Sequence, residues 1–191
     1  MMKNKLFICT LSVVITCLLL IGSQKAYSAI NEKNINDLIS KYETWTVRML
    51  IPDNDNLGKT TKTPDSVKSA IRQREQKNVD ELFSTEKSNV MKDKVDSALN
   101  SREVLDDVDG GVVNIVIKQC NIKDDTALVE AQVTKYITDI VNKDGKSYKN
   151  RVQSTDMKKY NCIRENGKWV IDNVGGQKDF DSVKVDLQPI E

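Results

Sequence analysis

The sequence predicts an α+β protein in which helices come first and an antiparallel sheet follows. Apolar residues recur at helical spacing through the first half of the chain and alternate with polar residues through the second half. Two dipeptides that are typical of tight hairpin turns, Asp144-Gly145 and Asn166-Gly167, separate the alternating runs. This order favours helices packed on one face of a curved meander sheet of four or more strands.

The chain begins with the three regions of a secretory signal. Two lysines precede an uncharged apolar run over residues 6–21, and a polar stretch with small side chains follows. Ala26 and Ser28 suit the third-from-last and last positions of a cleavage site, so we predict that residues 1–28 are removed by cleavage before Ala29. The apolar run is shorter than the ~20 residues of a membrane-spanning helix. An uncleaved anchor, which would hold the protein on the outer face of the membrane, is the alternative.

Three helices are predicted in the first half of the mature chain. The first covers residues 31–50 and has one apolar stripe, and Pro52 ends it. The second begins at Thr63-Pro64-Asp65, because threonine suits the N-cap and proline the first turn. Its very polar middle, residues 72–78, indicates a bend or break. The third covers residues 85–99.

Four strands are predicted in the second half, at residues 112–120, 126–141, 146–164 and 168–172. A hairpin centred between Lys143 and Asp144 would place Val133 opposite Ser154 and the apolar sets of both strands on one face. The predicted domain therefore spans residues 29–174, and residues 175–191 form an edge strand or a tail.

The final strand, Asn166-Gly167-Lys168-Trp169-Val170-Ile171-Asp172, is similar to the last strand of many secreted bacterial members of the NTF2-like (cystatin-like α+β) superfamily. The chain also resembles the non-catalytic region that precedes the catalytic domain in some secreted Gram-positive putative amidases. The resemblance covers about residues 31–174. It implies a cone-shaped sheet with a pocket between sheet and helices. It does not imply one function, because isomerases, dehydratases, transport factors, secretion-system assembly proteins and binding domains share this fold.

Composition excludes several classes of function. The 191 residues include no histidine, which rules out Ser-His-Asp and Cys-His catalytic units and HExxH zinc sites within the chain. The net charge is +1, and removal of residues 1–28 leaves 26 basic and 28 acidic residues. A near-neutral chain does not have the charge of a nucleic-acid binder.

The acidic loops and the cysteines do not predict a metal or a cofactor. Residues 53–58 resemble the start of an EF-hand loop, but Leu57 and Pro64 stand where ligands are required. Residues 106–110 are interpreted as a turn leading into the sheet. Cys120 and Cys162 lie on the first and third strands, about 9.5 Å apart across two strand spacings, which exceeds the ~7 Å that a disulfide tolerates. We therefore expect two unbridged, buried or half-buried thiols.

Polar residues at inward positions of the sheet are the candidates for chemistry. Lys135 and Asp139 share the inward parity of the second strand, and Ser154 and Asp156 share that of the third. Trp45 is predicted either to line the mouth of the pocket or to belong to the core. The mixed charges of residues 72–77 are interpreted as a solvated helix face.

Three functional hypotheses follow from these features. The first is a secreted, non-enzymatic domain that binds a protein or cell-envelope partner. The second is a small-molecule pocket protein or an isomerase- or dehydratase-like enzyme, which would need a deep pocket with an inward carboxylate. The third is an assembly component of an envelope machine that keeps its N-terminal anchor.

Overall fold

The computed structural model describes residues 27–49, 65–101, 107–177 and 184–189. The chain divides into two compact units, Met1–Asn36 and Asp37–Glu191. The described part of the first unit, residues 27–36, is helical. Most of the predicted signal, the loop at 53–58 and the start of the second predicted helix at Thr63 lie outside the described residues. No helix in the described ranges is both long and apolar enough to cross a membrane.

The second unit confirms the α+β class, since three helices precede a five-stranded, antiparallel, curved and open sheet. The helices pack against this sheet. In chain order the elements are α1 at 37–48, α2 at Asp65–Leu82, α3 at Thr85–Ser101, β1 at Asp107–Lys123, β2 at Thr126–Lys143, β3 at Lys146–Glu165, β4 at Lys168–Gln177 and β5 at Lys184–Pro189.

The sheet is a meander in the order β1-β2-β3-β4, and β5 also pairs with β3. β4 pairs with residues Met157–Glu165 of β3, and β5 pairs with Tyr148–Gln153. One edge of β3 is occupied by β2. β4 and β5 therefore follow one another along the opposite edge. The C-terminal segment is therefore an edge strand over its described residues, one of the two alternatives predicted.

Two-residue turns connect the first four strands. Asp124 begins the first turn, Asp144-Gly145 form the second and Asn166-Gly167 form the third, and these residues have φ values between 51° and 77°. The predicted register of the second hairpin was wrong by two residues: Val133 pairs with Asp156 rather than with Ser154. Asp144 and Gly145 both need positive φ, so the turn is centred between them and not before Asp144.

Two other predictions differ from the structure. The polar middle of the second helix contains no break, because α2 is continuous through residues 72–78. The acidic segment before the sheet is not a turn from Asp107 onward, because β1 begins at that residue and pairs with β2. β1 accommodates its Asp and Gly residues as an edge strand, with register irregularities at residues 108, 113 and 118.

The core lies between the helices and one face of the sheet. Buried positions alternate as predicted over residues 127–133 of β2 and at Tyr160 and Cys162 of β3, whereas the buried Thr138 and Thr155 have the opposite parity. All three helices contribute buried apolar side chains to this core. An aromatic cluster joins α1, Phe83 and the sheet: the rings of Tyr42 and Tyr160 are 6.0 Å apart, and Phe83 lies 5.6 Å from both Tyr42 and Trp45. The other large contributors are Leu38, Ile39, Val79, Leu82, Val95, Leu99, Val129, Val133 and Ile171.

A buried serine ties the helices to β4. Phe83 forms an isolated parallel bridge with Ile171, and the Ser84 N–H donates to the Ile171 carbonyl at 2.9 Å. The Ser84 hydroxyl donates to Asp172 Oδ1 at 3.0 Å and accepts from the backbone N–H of Lys87 at 3.4 Å. Ser84 therefore caps α3 and fixes the α2–α3 junction on the sheet.

The cysteines are unbridged, as predicted. Cys162 is buried and Cys120 is half-buried, and β2 lies between their strands. Cys120 is opposite Val129, whereas Cys162 is opposite Ala127.

Candidate functional site

A buried ion cluster lies between α1 and the sheet. Glu43 on α1 has no exposed surface, and both of its carboxylate oxygens accept from Lys158 Nζ at 3.0 Å. Tyr160 Oη donates to the same carboxylate at 2.7 Å, and Lys135 Nζ forms a further ion pair with it. Lys135 Nζ also donates to Thr46 Oγ1 at 2.8 Å. One carboxylate thus receives two ammonium groups and a phenol.

The charges of this cluster stabilise one another. Burial alone would raise the pKa of Glu43, but Lys135, Lys158 and Tyr160 together hold that pKa below its ordinary value. Burial, which Glu43 only partly offsets, lowers the pKa of Lys135. Burial and the neighbouring carboxylate raise the pKa of the Tyr160 phenol. Glu43 is therefore ionised at neutral pH and is already hydrogen-bonded by its neighbours, so it is not available as a base.

The structure brings only one of the four predicted inward residues into this cluster. Lys135 contacts Glu43, whereas the side chains of Asp139, Ser154 and Asp156 form no hydrogen bond among the described residues. Oδ1 of Asp139 is buried without such a partner.

Sequence reasoning missed Glu43, which completes the cluster. Glu43 follows the buried Ile39 by four residues and therefore lies on the apolar stripe of α1. Lys158 shares the parity of Tyr160 on β3 and faces the same way. The sequence feature that could have predicted the cluster is a charged residue at an inward position on each of α1, β2 and β3.

A cleft of about 260 Å³ opens between α1 and α2. Trp45 and Leu82, which are 7% and 4% exposed, contribute apolar surface to it. The rest of the lining is polar: Asn78 is half-buried, and the exposed residues are Ser40, Lys41, Thr44, Arg48 and Glu81.

A second buried carboxylate orients the cleft residues. Glu75 on α2 has no exposed surface, and its Oε2 accepts from Arg48 Nη2 at 3.0 Å and from Asn78 Nδ2 at 2.9 Å. Its Oε1 accepts from Arg74 Nε at 2.6 Å. Burial would raise the pKa of Glu75, but these hydrogen bonds outweigh burial and lower the pKa. Through these hydrogen bonds, Glu75 fixes the positions of the Arg48 and Asn78 side chains in the cleft. The segment predicted to be only a solvated helix face thus contains a buried anchor.

Trp45 belongs to the core, which is one of the two predicted alternatives. Its ring contacts Tyr42 and Phe83 there. The cleft that it also lines lies between α1 and α2 and is not the predicted pocket between the sheet and the helices. The indole Nε1 is buried and has no hydrogen-bond partner among the described residues.

Within the described ranges, no group of three or more Asp, Glu and Cys side chains is arranged to hold a metal ion. Asp109, from the predicted turn, instead accepts a hydrogen bond from the N–H of Gly110 at 2.8 Å.

Comparisons with known proteins support the fold alone. No family model matches the chain, and no curated protein matches it. Among solved structures, the chain is similar to the intermembrane space region of the chloroplast protein ARC6, with a TM-score of 0.50 and 13% sequence identity. The match covers 75% of this chain and 94% of the ARC6 region.

Proposed function

We propose that this chain is an exported, non-enzymatic NTF2-like domain that binds a protein partner through the cleft between α1 and α2. The observation that carries the proposal is the contrast between the two carboxylate sites. Glu43, the fully buried carboxylate between α1 and the sheet, is held by Lys135, Lys158 and Tyr160, so it is not free to act as the base of an isomerase- or dehydratase-like enzyme. The cleft instead presents exposed, oriented polar groups beside apolar surface.

This combination is typical of protein-binding surfaces. Binding energy at such surfaces comes from aromatic and arginine side chains, here Trp45 and Arg48, surrounded by polar groups that can exchange water for a partner. The secretory signal predicted at residues 1–28 favours a partner outside the cytoplasm or in the cell envelope.

Site-specific photo-cross-linking tests the proposal. The full chain, expressed with its own N-terminal segment, would carry a photoreactive amino acid at Lys41 in the cleft or, as a control, at the exposed Asp93 on α3. We expect one polypeptide to be cross-linked from position 41 and not from position 93. The N-terminus of the recovered chain, read by mass spectrometry, tests the cleavage before Ala29.

Equal cross-linking from both positions, or none from position 41 in medium and envelope fractions, would rule out the cleft as the binding site.

A further inference from the structure

We propose that the cleft between α1 and α2 recognises a peptide carboxylate that lies next to an apolar side chain, with Arg48 as its anchor. This inference rests on the proposed function and names the chemistry of the partner.

Arg48 has capacity for a second carboxylate. A guanidinium presents five N–H donors in a planar fork, and it pairs readily with two acceptors at different edges. Only Nη2 of Arg48 is engaged among the described residues, by Glu75, and 44% of the Arg48 side chain is exposed. The contact with Glu75 immobilises the guanidinium, so a ligand would lose little additional side-chain entropy when it binds.

The charges around the cleft call for a singly charged anion. Lys41 and Arg48 both lie on α1, seven residues or two helical turns apart, and Glu81 on α2 is the acidic residue of the lining. Below the cleft, Glu75 is matched by Arg74. One excess positive charge therefore remains at the cleft. A carboxylate neutralises this charge, whereas a phosphate dianion would overcompensate it.

The apolar part of the cleft sets the second requirement. Trp45 and Leu82 are almost fully buried, yet both line the opening. A volume of about 260 Å³ accommodates one side chain and its neighbouring backbone rather than a drug-sized molecule. An aliphatic side chain placed on Trp45 and Leu82 would bring the carboxylate of the same peptide to Arg48. Asn78 can donate to that peptide with the amide hydrogen that Glu75 leaves unused.

Titration calorimetry with short peptides tests this inference on the full chain. The probes are an acetylated Gly-Gly-Ala-Leu peptide with a free C-terminus, the same peptide amidated, and an amidated Gly-Glu-Leu-Gly peptide. We expect the amidated peptide without an acidic side chain to bind at least about tenfold more weakly than a carboxylate-bearing peptide. Preference for the free C-terminus identifies a chain end as the ligand, and preference for the glutamate peptide identifies an internal acidic segment.

Matched variants separate binding from folding. Arg48→Gln and Arg74→Gln each remove one guanidinium from Glu75, but only Arg48 lines the cleft. We expect Arg48→Gln to lower the affinity at least about tenfold, Arg48→Lys to restore only part of it, and Arg74→Gln to change it less than about threefold.

Equal binding of all three peptides, no binding of any, or equal effects of the two glutamine variants would overturn the inference. If photo-cross-linking from position 41 still captures a polypeptide in that case, the proposed function stands and only the carboxylate chemistry is wrong.

Discussion

Glu43 is a charged residue in a core otherwise built mainly from aliphatic and aromatic side chains. Replacing it by glutamine leaves Lys135 and Lys158 without their shared counter-ion, and these lysine side chains are only 15% and 18% exposed. Removing one partner of a buried ion pair costs about 3–5 kcal/mol. We expect Glu43→Gln to lower the free energy of unfolding by about 3 kcal/mol, the lower end, because some water reaches both lysines. Urea denaturation followed by circular dichroism measures the change.

A surface ion pair provides the control for Glu43. Glu130 pairs with Lys159 at 2.7 Å, but the two side chains are 30% and 62% exposed. Exposed pairs contribute less than about 1 kcal/mol, so Glu130→Gln should have a small effect. Comparable losses of unfolding free energy in the two variants would show that the buried Glu43 cluster stabilises the fold no more than an exposed ion pair does.

Cys162 should make the folded chain less stable as the pH rises through the alkaline range. Burial, with a smaller contribution from Cys120, raises the pKa of the Cys162 thiol to about 12. The unfolded thiol loses its proton near pH 8.5, so the unfolded chain binds fewer protons than the folded chain above that pH and stability falls as pH rises. This group alone should cost about 2 kcal/mol by pH 10. Cys162→Ala should be less stable overall but should lose about 2 kcal/mol less between pH 7 and 10.

The comparison for Cys162 is Cys120→Ala, which keeps the buried thiol and should retain the alkaline decline. Denaturant unfolding at pH 7 and 10 measures each difference. An undiminished decline in Cys162→Ala would mean that the thiol is not protected from water in the folded chain.

At the scale of elements, the hairpin turns depend on backbone conformation rather than on space. Gly167 has φ of +77°, and a Cβ built on it would meet no atom within 4 Å. The cost of Gly167→Ala is therefore conformational, about 1 kcal/mol. Gly175→Ala is the matched control, since its Cβ also meets nothing and its φ lies outside the left-handed region. Thermal and urea unfolding should separate the two variants, and equal stability would contradict a positive-φ requirement at the turn.

Elements were more predictable than their exact pairing. Alternation and turn residues located β2 to within two residues of its observed end, because one face of that strand is buried. The hairpin register was misplaced because the turn was centred one residue too early, whereas Asp144 and Gly145, both at positive φ, are its two central residues. β1 was predicted too short because the Asp and Gly residues of 107–111 and Asn121 are typical of turns, although residues 107–111 and 121–123 pair with β2.

At the scale of the whole molecule, the buried cluster could be predicted only in part. The parity of β2 identified Lys135, but Glu43 lies 115 residues from Lys158 and 117 from Tyr160 in sequence. From the sequence alone, a single helical glutamate beside apolar neighbours can equally lie at the exposed border of the apolar stripe. Its burial becomes evident only when the element that packs against the helix is known. Only the fold brings α1 over β2 and β3 and makes three isolated charges into one cluster. The cleft depends in the same way on the approach of α1 and α2.

At the same scale, the part of the chain that the structure describes is held together without a covalent cross-link, although the chain is predicted to be exported to a compartment where disulfides are common. Cys120 and Cys162 are unbridged, with β2 between their strands. Reduction should therefore leave the midpoint of thermal unfolding unchanged, and thiol titration of the denatured, signal-free protein should find both cysteines reactive. A native disulfide would contribute about 2–4 kcal/mol, so its reduction would lower the midpoint by at least about 4 °C. A fall of that size that is absent in Cys162→Ala would mean that a disulfide joins the two cysteines. Such a bond would require the strands to separate or reorder so that the two sulfurs meet, and the sheet that supports the Glu43 cluster would then differ from the one described.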